Sequence, residues 1–253
     1  MHRKFIAAVA ALTMLAGPSL AQEEEATTGW TGEGSVSAGV TTGNTETTDL
    51  GVGVNMTKET GTWSYGVEAL ADYGEIEGAE SKNRWFLGGT VDRQINDRLF
   101  GFGRVSYEQD EFSGFDSRAF IGGGLGYDVI VGEQTSWTVR GGPGLKVDEI
   151  GEIITTDATG ATVVTPGVTE ESISFIAASD FDYAFNDNVA LTNDTSVLYA
   201  ETSTQLTNTL ALTAKLSDAL SARISFDVRH DTEPPEGFES TDTATRFSLV
   251  YGF

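Results

Sequence analysis

Few residues of the chain could support catalysis, and their neighbours do not complete a catalytic set. His230 is the one histidine after the first 21 residues, and Asp231 and Thr232 follow it. A hydrolase pairs a nucleophile with a general base, but the sequence contains no His-x-Ser or Gly-x-Ser-x-Gly pattern. Asp180 and Asp182 could form an acid–base pair, although they also fit a larger charged network. Because there is no cysteine, thiolate chemistry is excluded, and we predict that the protein is not an enzyme.

Charged side chains form a second and larger set, because acids and bases recur at alternate positions of otherwise apolar segments. We predict that they line the interior of a barrel. They could form a narrow polar pathway with a selective field, or they could pair and fill the interior. Similar numbers of acids and bases favour pairing over a filter of one sign. The predicted lining residues are Glu68, Asp72, Arg84, Arg104, Arg118, Arg140, Asp180, Asp182, Lys215, Arg223, Asp227, Arg229 and Arg246.

The start of the chain has the pattern of an export signal. Arg3 and Lys4 precede an apolar run of twelve residues at 5–16, which is too short to span a bilayer as a helix. Small residues follow, and we predict a signal peptide at 1–21 that is cleaved after Ala21. The rest divides into an acidic tail at 22–28 and a barrel domain at 29–253. Removal of the two basic residues changes the net charge from −23 to −25.

Composition excludes several classes of protein. Hydrophobic residues make up 39% of the chain and charged residues 21%, which fits neither a disordered acidic tail nor a helical membrane protein. The strongly negative charge argues against a nucleic-acid partner, because phosphate binding needs a basic surface.

Strict alternation of apolar and polar residues runs along most of the chain. Near the C-terminus, Phe247, Leu249 and Tyr251 alternate with small or charged residues, as expected for a strand with two different faces. The pattern is weakest at 99–108, where Phe100 and Phe102 fall on the charged face. We predict twelve strands near residues 29–41, 47–58, 62–73, 83–95, 98–109, 116–131, 136–148, 171–185, 188–201, 205–216, 220–231 and 241–253.

The predicted strands and connections indicate an all-β fold, a transmembrane antiparallel β-barrel of the bacterial outer membrane. Most strands have 11–14 residues, enough to cross a bilayer while tilted. Short connections alternate with longer acidic ones, such as 74–82 and 149–170, as in outer-membrane barrels. A charge facing lipid at the midplane costs about 2–4 kcal/mol, so the apolar face must point outward. The alternative is a soluble β-sandwich or lipocalin-like barrel, with the apolar face inward.

Several short motifs occur in an order and spacing that resemble one family. The motifs are Gly43-Asn44-Thr45-Glu46-Thr47-Thr48, Phe112-Ser113-Gly114-Phe115-Asp116, Gly142-Pro143-Gly144, Val228-Arg229-His230-Asp231-Thr232, Pro234-Pro235, Gly237, Thr241-Asp242-Thr243 and Leu249-Val250-Tyr251-Gly252-Phe253. Over essentially the whole mature chain, the sequence resembles the YdiY-like family, bacterial proteins described as salt-induced outer-membrane proteins and grouped as a domain of unknown function. The resemblance implies an outer-membrane barrel in a Gram-negative bacterium and a link to salt or acid stress, but no mechanism.

The final residues also resemble an assembly signal. Phe253 with Tyr251 is similar to the C-terminal signal read by the outer-membrane barrel assembly machinery, which the resemblance implies as a partner. Outer-membrane lipid and lipopolysaccharide are the other expected partners. An ordinary lipid-facing strand end would give the same residues.

Excess negative charge is expected in the tail and the connections, for example at Glu75, Glu149 and Glu170. Acidic loops beside anionic lipopolysaccharide would be repelled unless divalent cations bridge them. Weak Ca²⁺ or Mg²⁺ binding is therefore one interpretation, and a solvated acidic rim is the other. No cofactor and no defined metal site is expected.

Three functions remain open from the sequence. The first is a non-enzymatic barrel linked to envelope stress, with a narrow channel for ions or small polar solutes. The second is a structural or adhesive barrel with a plugged lumen. The third is an enzyme that modifies envelope lipid through His230.

Overall fold

The computed structural model describes residues 29–43, 47–77, 79–156 and 162–253. The predicted signal peptide at 1–21 and the predicted tail at 22–28 precede this part, and both lie outside the described residues. Within the described ranges, no helix is long and apolar enough to cross a membrane.

Fourteen strands account for most of the described chain. They are β1 (Thr31–Thr42), β2 (Thr47–Thr60), β3 (Trp63–Ile76), β4 (Ala79–Gln94), β5 (Leu99–Asp110), β6 (Phe115–Val131), β7 (Thr135–Ile150), β8 (Ile153–Thr156), β9 (Thr162–Thr165), β10 (Val168–Asn186), β11 (Val189–Ala200), β12 (Thr204–Lys215), β13 (Leu220–Asp231) and β14 (Thr241–Gly252). Strands β8 and β9 form a separate hairpin.

The other twelve strands close into one antiparallel barrel, so the predicted strand number and fold class are confirmed. Each strand pairs with its neighbours along the chain, β7 pairs with β10, and β14 pairs with β1. At this seam, Gly32 and Phe253 exchange two backbone hydrogen bonds of 2.9 Å. Closure leaves no unpaired edge, which is the condition for a sheet to exist in lipid.

Apolar side chains point outward around the barrel. Val52, Leu87 and Leu125 are 50–57% exposed in the isolated chain, which would be costly in water but is favourable against lipid. Trp63 and Tyr73 mark the height of this belt on β3, where they lie ten positions apart along the strand. At roughly 3.4 Å per residue and a tilt of about 40°, the belt is about 26 Å tall. This height matches the apolar band of outer-membrane barrels.

Two predicted connections were too long, because the strands continue beyond the belt. Residues 74–82 were expected to form a connection, but β3 runs to Ile76 and β4 begins at Ala79. Glu75, Glu149 and Glu170, expected in connections, are strand residues. Apolar alternation ends where lipid ends, whereas backbone hydrogen bonding needs no apolar face and can continue into water.

Candidate functional site

Ion pairs between distant strands identify the face that lines the lumen. Strands that are not adjacent can be bridged only through the interior of a closed barrel. Arg229 on β13 donates a hydrogen bond to Glu108 on β5 at 2.5 Å, although five barrel strands separate β5 from β13 in either direction. The charged face therefore lines the lumen, and the lumen is bridged across its width.

Arg246 on β14 gathers acids from three strands in the outer half of the lumen, the half nearer the longer connections. Its Nη1 donates to Asp227 on β13 and its Nη2 lies 3.1 Å from Asp72 on β3. Its Nε lies 3.9 Å from Asp49 on β2. Asp49 and Asp72 are only 1% and 2% exposed. Because an uncompensated buried charge is costly, these carboxylates depend on the guanidinium between them.

Arg84 on β4 continues this network toward the opposite wall. It lies 3.3 Å from Asp72 and donates to Glu108 at 2.9 Å, and Glu108 in turn accepts from Arg229. Lys82 extends the network at the other end, because its Nζ donates to Thr41 at 2.8 Å. With the pair of Lys82 and Asp49 at 3.6 Å, the ion pairs form a continuous chain from Lys82 through Arg246 and Arg84 to Arg229.

Lys146 and Asp148 form a second buried group on β7. They lie 2.7 Å apart and are each 2% exposed. Lys146 also donates to Ser203 in the connection between β11 and β12. A lysine beside a serine can act as a base, but an ammonium held by a carboxylate has no lone pair to accept the Ser203 proton. This arrangement is therefore a structural one.

An apolar layer fills part of the lumen. Phe100, Phe102, Phe120 and Ile176 are 3–7% exposed and pack together, with Leu198 against them. The weak alternation at 99–108 thus reflects aromatic side chains that do face the charged interior. This layer narrows the lumen between its outer and inner halves.

Glycines opposite these rings make the layer possible. A Cβ at Gly126 would overlap the ring of Phe100, and a Cβ at Gly122 or Gly144 would overlap the ring of Phe120. The rings therefore pack directly on backbone. A glycine-rich wall is needed wherever a large ring lies against it.

The inner half of the lumen is organised around Arg140 on β7. Its guanidinium lies 3.0 Å from Asp180 on β10 and 3.8 Å from Asp92 on β4, and 5.6 Å from the Phe100 ring centroid. Asp180 also stands directly opposite Asp194 on β11. Two acids thus face each other across neighbouring strands on this part of the wall, and like charges at paired positions repel each other.

A polar cavity of about 330 Å³ occupies the outer half of the lumen. Seven bases and six acids line it, together with Phe86, Phe112 and Phe120. The bases are Lys82, Arg84, Arg104, Arg118, Lys146, Arg229 and Arg246, and the acids are Glu68, Glu108, Asp110, Asp148, Asp227 and Asp242. The cavity can therefore hold a small polar or charged solute.

The structure places the sequence-predicted lining residues at three levels. Glu68, Arg84, Arg104, Arg118, Asp227, Arg229 and Arg246 line the cavity, with Asp72 buried beside it. Arg140, Asp180, Asp182 and Arg223 belong to the inner half, where Arg223 pairs with Glu33 at 2.7 Å. Lys215 lies at the inner mouth with Glu133.

Sequence reasoning missed several partners of these residues. Lys82 fell in a predicted connection, and Glu108 in the segment with the weakest alternation. Asp231, which accepts from Arg118 at 2.6 Å, was considered only beside His230. The spacing of Arg104 and Glu108, four residues apart on β5, was the available signal, because such residues share one face.

His230 has the surroundings of an interfacial residue. Its Nδ1 lies 2.8 Å from Thr241 Oγ1 on the neighbouring strand β14, and along β13 it lies four positions after Phe226, which is 45% exposed on the outer face. Leu206 is its partner on β12. Within the described ranges, no group of three or more histidine and acidic side chains is arranged to hold a metal ion.

A closed antiparallel barrel with an apolar exterior and a charged lumen defines the class of barrels found in the bacterial outer membrane. The chain belongs to the family described as "Protein of unknown function, DUF481", which matches residues 34–253. This family agrees with the YdiY-like resemblance.

Solved outer-membrane barrels share the fold. The NanC porin has a TM-score of 0.52 at 11% identity, covering 86% of this chain and 98% of the porin. The translocator domain of the autotransporter NalP from Neisseria meningitidis has a TM-score of 0.53 at 14% identity, covering 88% of each chain. An outer-membrane channel from Pseudomonas putida has a TM-score of 0.50 at 11% identity, covering 92% of this chain and 100% of the channel. No curated protein matches the chain.

Proposed function

We propose that the protein is a non-enzymatic barrel of the outer membrane that forms a narrow channel for ions and small polar solutes. The observation that carries this proposal is the polar cavity of about 330 Å³ inside a barrel whose apolar face points outward. The volume is at the lower end of small-molecule sites. The cross-lumen pair of Arg229 and Glu108 and the phenylalanine layer limit passage, so the conductance is low.

Charge in the inner half supports a preference for cations. Around Arg140, Asp92 interacts with Asp128 and Asp180, and Asp194 interacts with Asp180, Asp182 and Glu68. The bases that the described chain places at this level are Arg140 and Arg223, and Lys215 lies at the inner mouth. The two signs are therefore unequal here, although their numbers are similar over the whole lumen. A ring of carboxylates favours cations in a narrow aqueous path.

A planar-bilayer recording with purified protein tests the channel. We expect discrete current steps of small size, with a reversal potential shifted toward cations in asymmetric KCl. Complete absence of steps would contradict the proposal and favour a structural or adhesive barrel with a plugged lumen. That second candidate is supported by the ion pairs that bridge the lumen from wall to wall.

An enzyme acting on envelope lipid is the third candidate, and the surroundings of His230 favour it least. Its Nδ1 contacts the Thr241 hydroxyl, but the adjacent acid, Asp231, accepts from Arg118 instead of orienting the imidazole as the third member of a catalytic set. We expect His230→Ala to leave the lipid profile of the outer membrane unchanged. A changed profile in that variant would support the enzyme.

The family resemblance supports a role in envelope stress. We propose that the barrel contacts lipopolysaccharide and is inserted by the assembly machinery through Tyr251 and Phe253. A deletion strain should then grow more slowly at high salt, and membrane fractionation should recover the protein with the outer membrane.

Binding of divalent cations at the acidic loops is a separate proposal. A calorimetric titration without millimolar Ca²⁺ binding would exclude it.

A further inference from the structure

Two connections meet above the lumen although they start on opposite walls. The turn at 111–114 joins β5 to β6, and the loop at 232–240 joins β13 to β14. At Gly114, a Cβ would lie 2.7 Å from the Phe238 ring and 3.0 Å from Pro235 Cγ. Since β5 and β13 are separated by five strands on either side, this contact can form only across the outer mouth.

The loop has a defined shape and a fixed base. Phe238 N donates to Pro235 O at 3.0 Å, and Thr232 N donates to Thr204 O at 3.0 Å. Gly237, between Pro235 and Phe238, has φ 92°, which suits the third position of a type II turn. The turn presents Pro235, which is buried, and Phe238 toward the opposite connection.

A single arginine links the two connections at the points where they join their strands. Arg118 lies 3.3 Å from the ring centroid of Phe115, where β6 begins after the turn. The same guanidinium donates to Asp231 at 2.6 Å, where β13 ends before the loop. Phe112 of the turn lines the polar cavity below. The two connections, with this link beneath them, thus cover the cavity with apolar side chains.

We propose that the turn at 111–114 and the loop at 232–240, here called the lid, close the outer mouth and regulate passage through the lumen. The inference rests on the proposed channel function. Opening requires Pro235 and Phe238 to leave Gly114. Few apolar side chains hold the lid closed, so it belongs to the parts of a fold that open at low free-energy cost. An apolar constriction also excludes water while it is closed.

The absence of cysteine from the chain allows a direct test. The 3.0 Å contact of a Gly114 Cβ with Pro235 Cγ keeps the two Cβ atoms of the double variant Gly114→Cys with Pro235→Cys within about 4.5 Å, which a disulfide can span. We expect current steps from the reduced protein and their loss after oxidation, with recovery on reduction. Each single variant under the same oxidant is the control, and Gly114→Cys alone also reports the effect of a side chain at φ 79°.

A second variant removes the contact without a cross-link. Phe238→Ala should increase the fraction of time in which the channel is open, and heat-dependent migration in gels shows whether the barrel has folded. Equal currents from the oxidised and the reduced double variant would contradict the proposed lid but not the proposed channel. No current from any variant, including Phe238→Ala, would overturn the channel and the lid together.

Discussion

Arg229 and Glu108 meet inside the barrel although their strands stand on opposite walls and the residues are 121 positions apart in the chain. Each also contacts a further charge, Asp110 for Arg229 and Arg84 for Glu108. Arg229 therefore ties β13 to the part of the ion-pair network that lies on β4 and β5.

Loss of this bridge should widen the lumen. Arg229→Gln removes the charge that reaches across, so we expect a larger single-channel conductance in planar bilayers. Glu108→Gln should have a similar effect, and the double variant should differ little from either single one, because all three break the same contact. Lys58→Gln is the control and should leave the conductance unchanged, because position 58 shares the outward face of β2 with Val52 and Val54. Additive effects of the two substitutions would contradict the bridge.

Cation preference should depend on the acids of the inner half. Asp194→Asn removes one carboxylate beside Asp180, so we expect the reversal potential in asymmetric KCl to move toward zero. Glu80→Gln at the exposed outer end of β4 is the matched control, because it removes the same charge far from the inner half and outside the lid. An equal shift in both variants would mean that total charge, instead of the inner lumen, sets the preference.

The layer of phenylalanines should make Gly126 intolerant of a side chain. Gly126→Leu places a side chain where the Phe100 ring lies, and overpacking of this kind costs about 1–3 kcal/mol. Gly101→Leu is the control, because the nearest atom to its Cβ is 3.9 Å away. Urea unfolding in lipid vesicles measures both, and equal stabilities would show that Phe100 moves aside freely.

Arginine substitutions on the two faces of β2 should differ in their effect on barrel folding in the membrane. Val52→Arg puts a charge on the lipid side, at a cost of about 2–4 kcal/mol near the midplane. Asn55→Arg on the same strand points into the lumen, where Glu33 and Glu68 are its partners on the neighbouring strands. We expect less folded protein in the membrane only for Val52→Arg. If both variants reduced the amount of folded protein in the membrane, the assignment of Val52 to the lipid face and Asn55 to the lumen would be wrong.

The fold was predictable because a barrel in lipid needs a side-chain period of two in every strand. Val52 and its outward neighbours carry that signal locally, and an even number of strands brings the ends together. The pair of Arg229 and Glu108 carries no such signal, since it depends on the register of many strands and on the width of the barrel. The contact of Phe238 with Gly114 was hidden for another reason, because connections have no periodicity.

The phenylalanine layer was only partly predictable from the sequence. Phe100 and Phe102 were visible as exceptions to the alternation, but their role follows only from the glycines of the adjoining strands. Lys82 was misplaced because a strand that leaves the membrane no longer shows its boundary in hydropathy.

The seam between β1 and β14 makes barrel formation all-or-none. The hydroxyls of Thr42 and Thr243 form a hydrogen bond of 2.9 Å across the seam, although the residues are 201 positions apart. The ring can therefore close only after the last strand has been synthesised. Until then, two rows of unpaired backbone groups prevent stable residence in lipid. A polypeptide that lacks β14 therefore cannot reside stably in the bilayer. Ring closure thus restricts membrane insertion to chains that have been synthesised through the last strand.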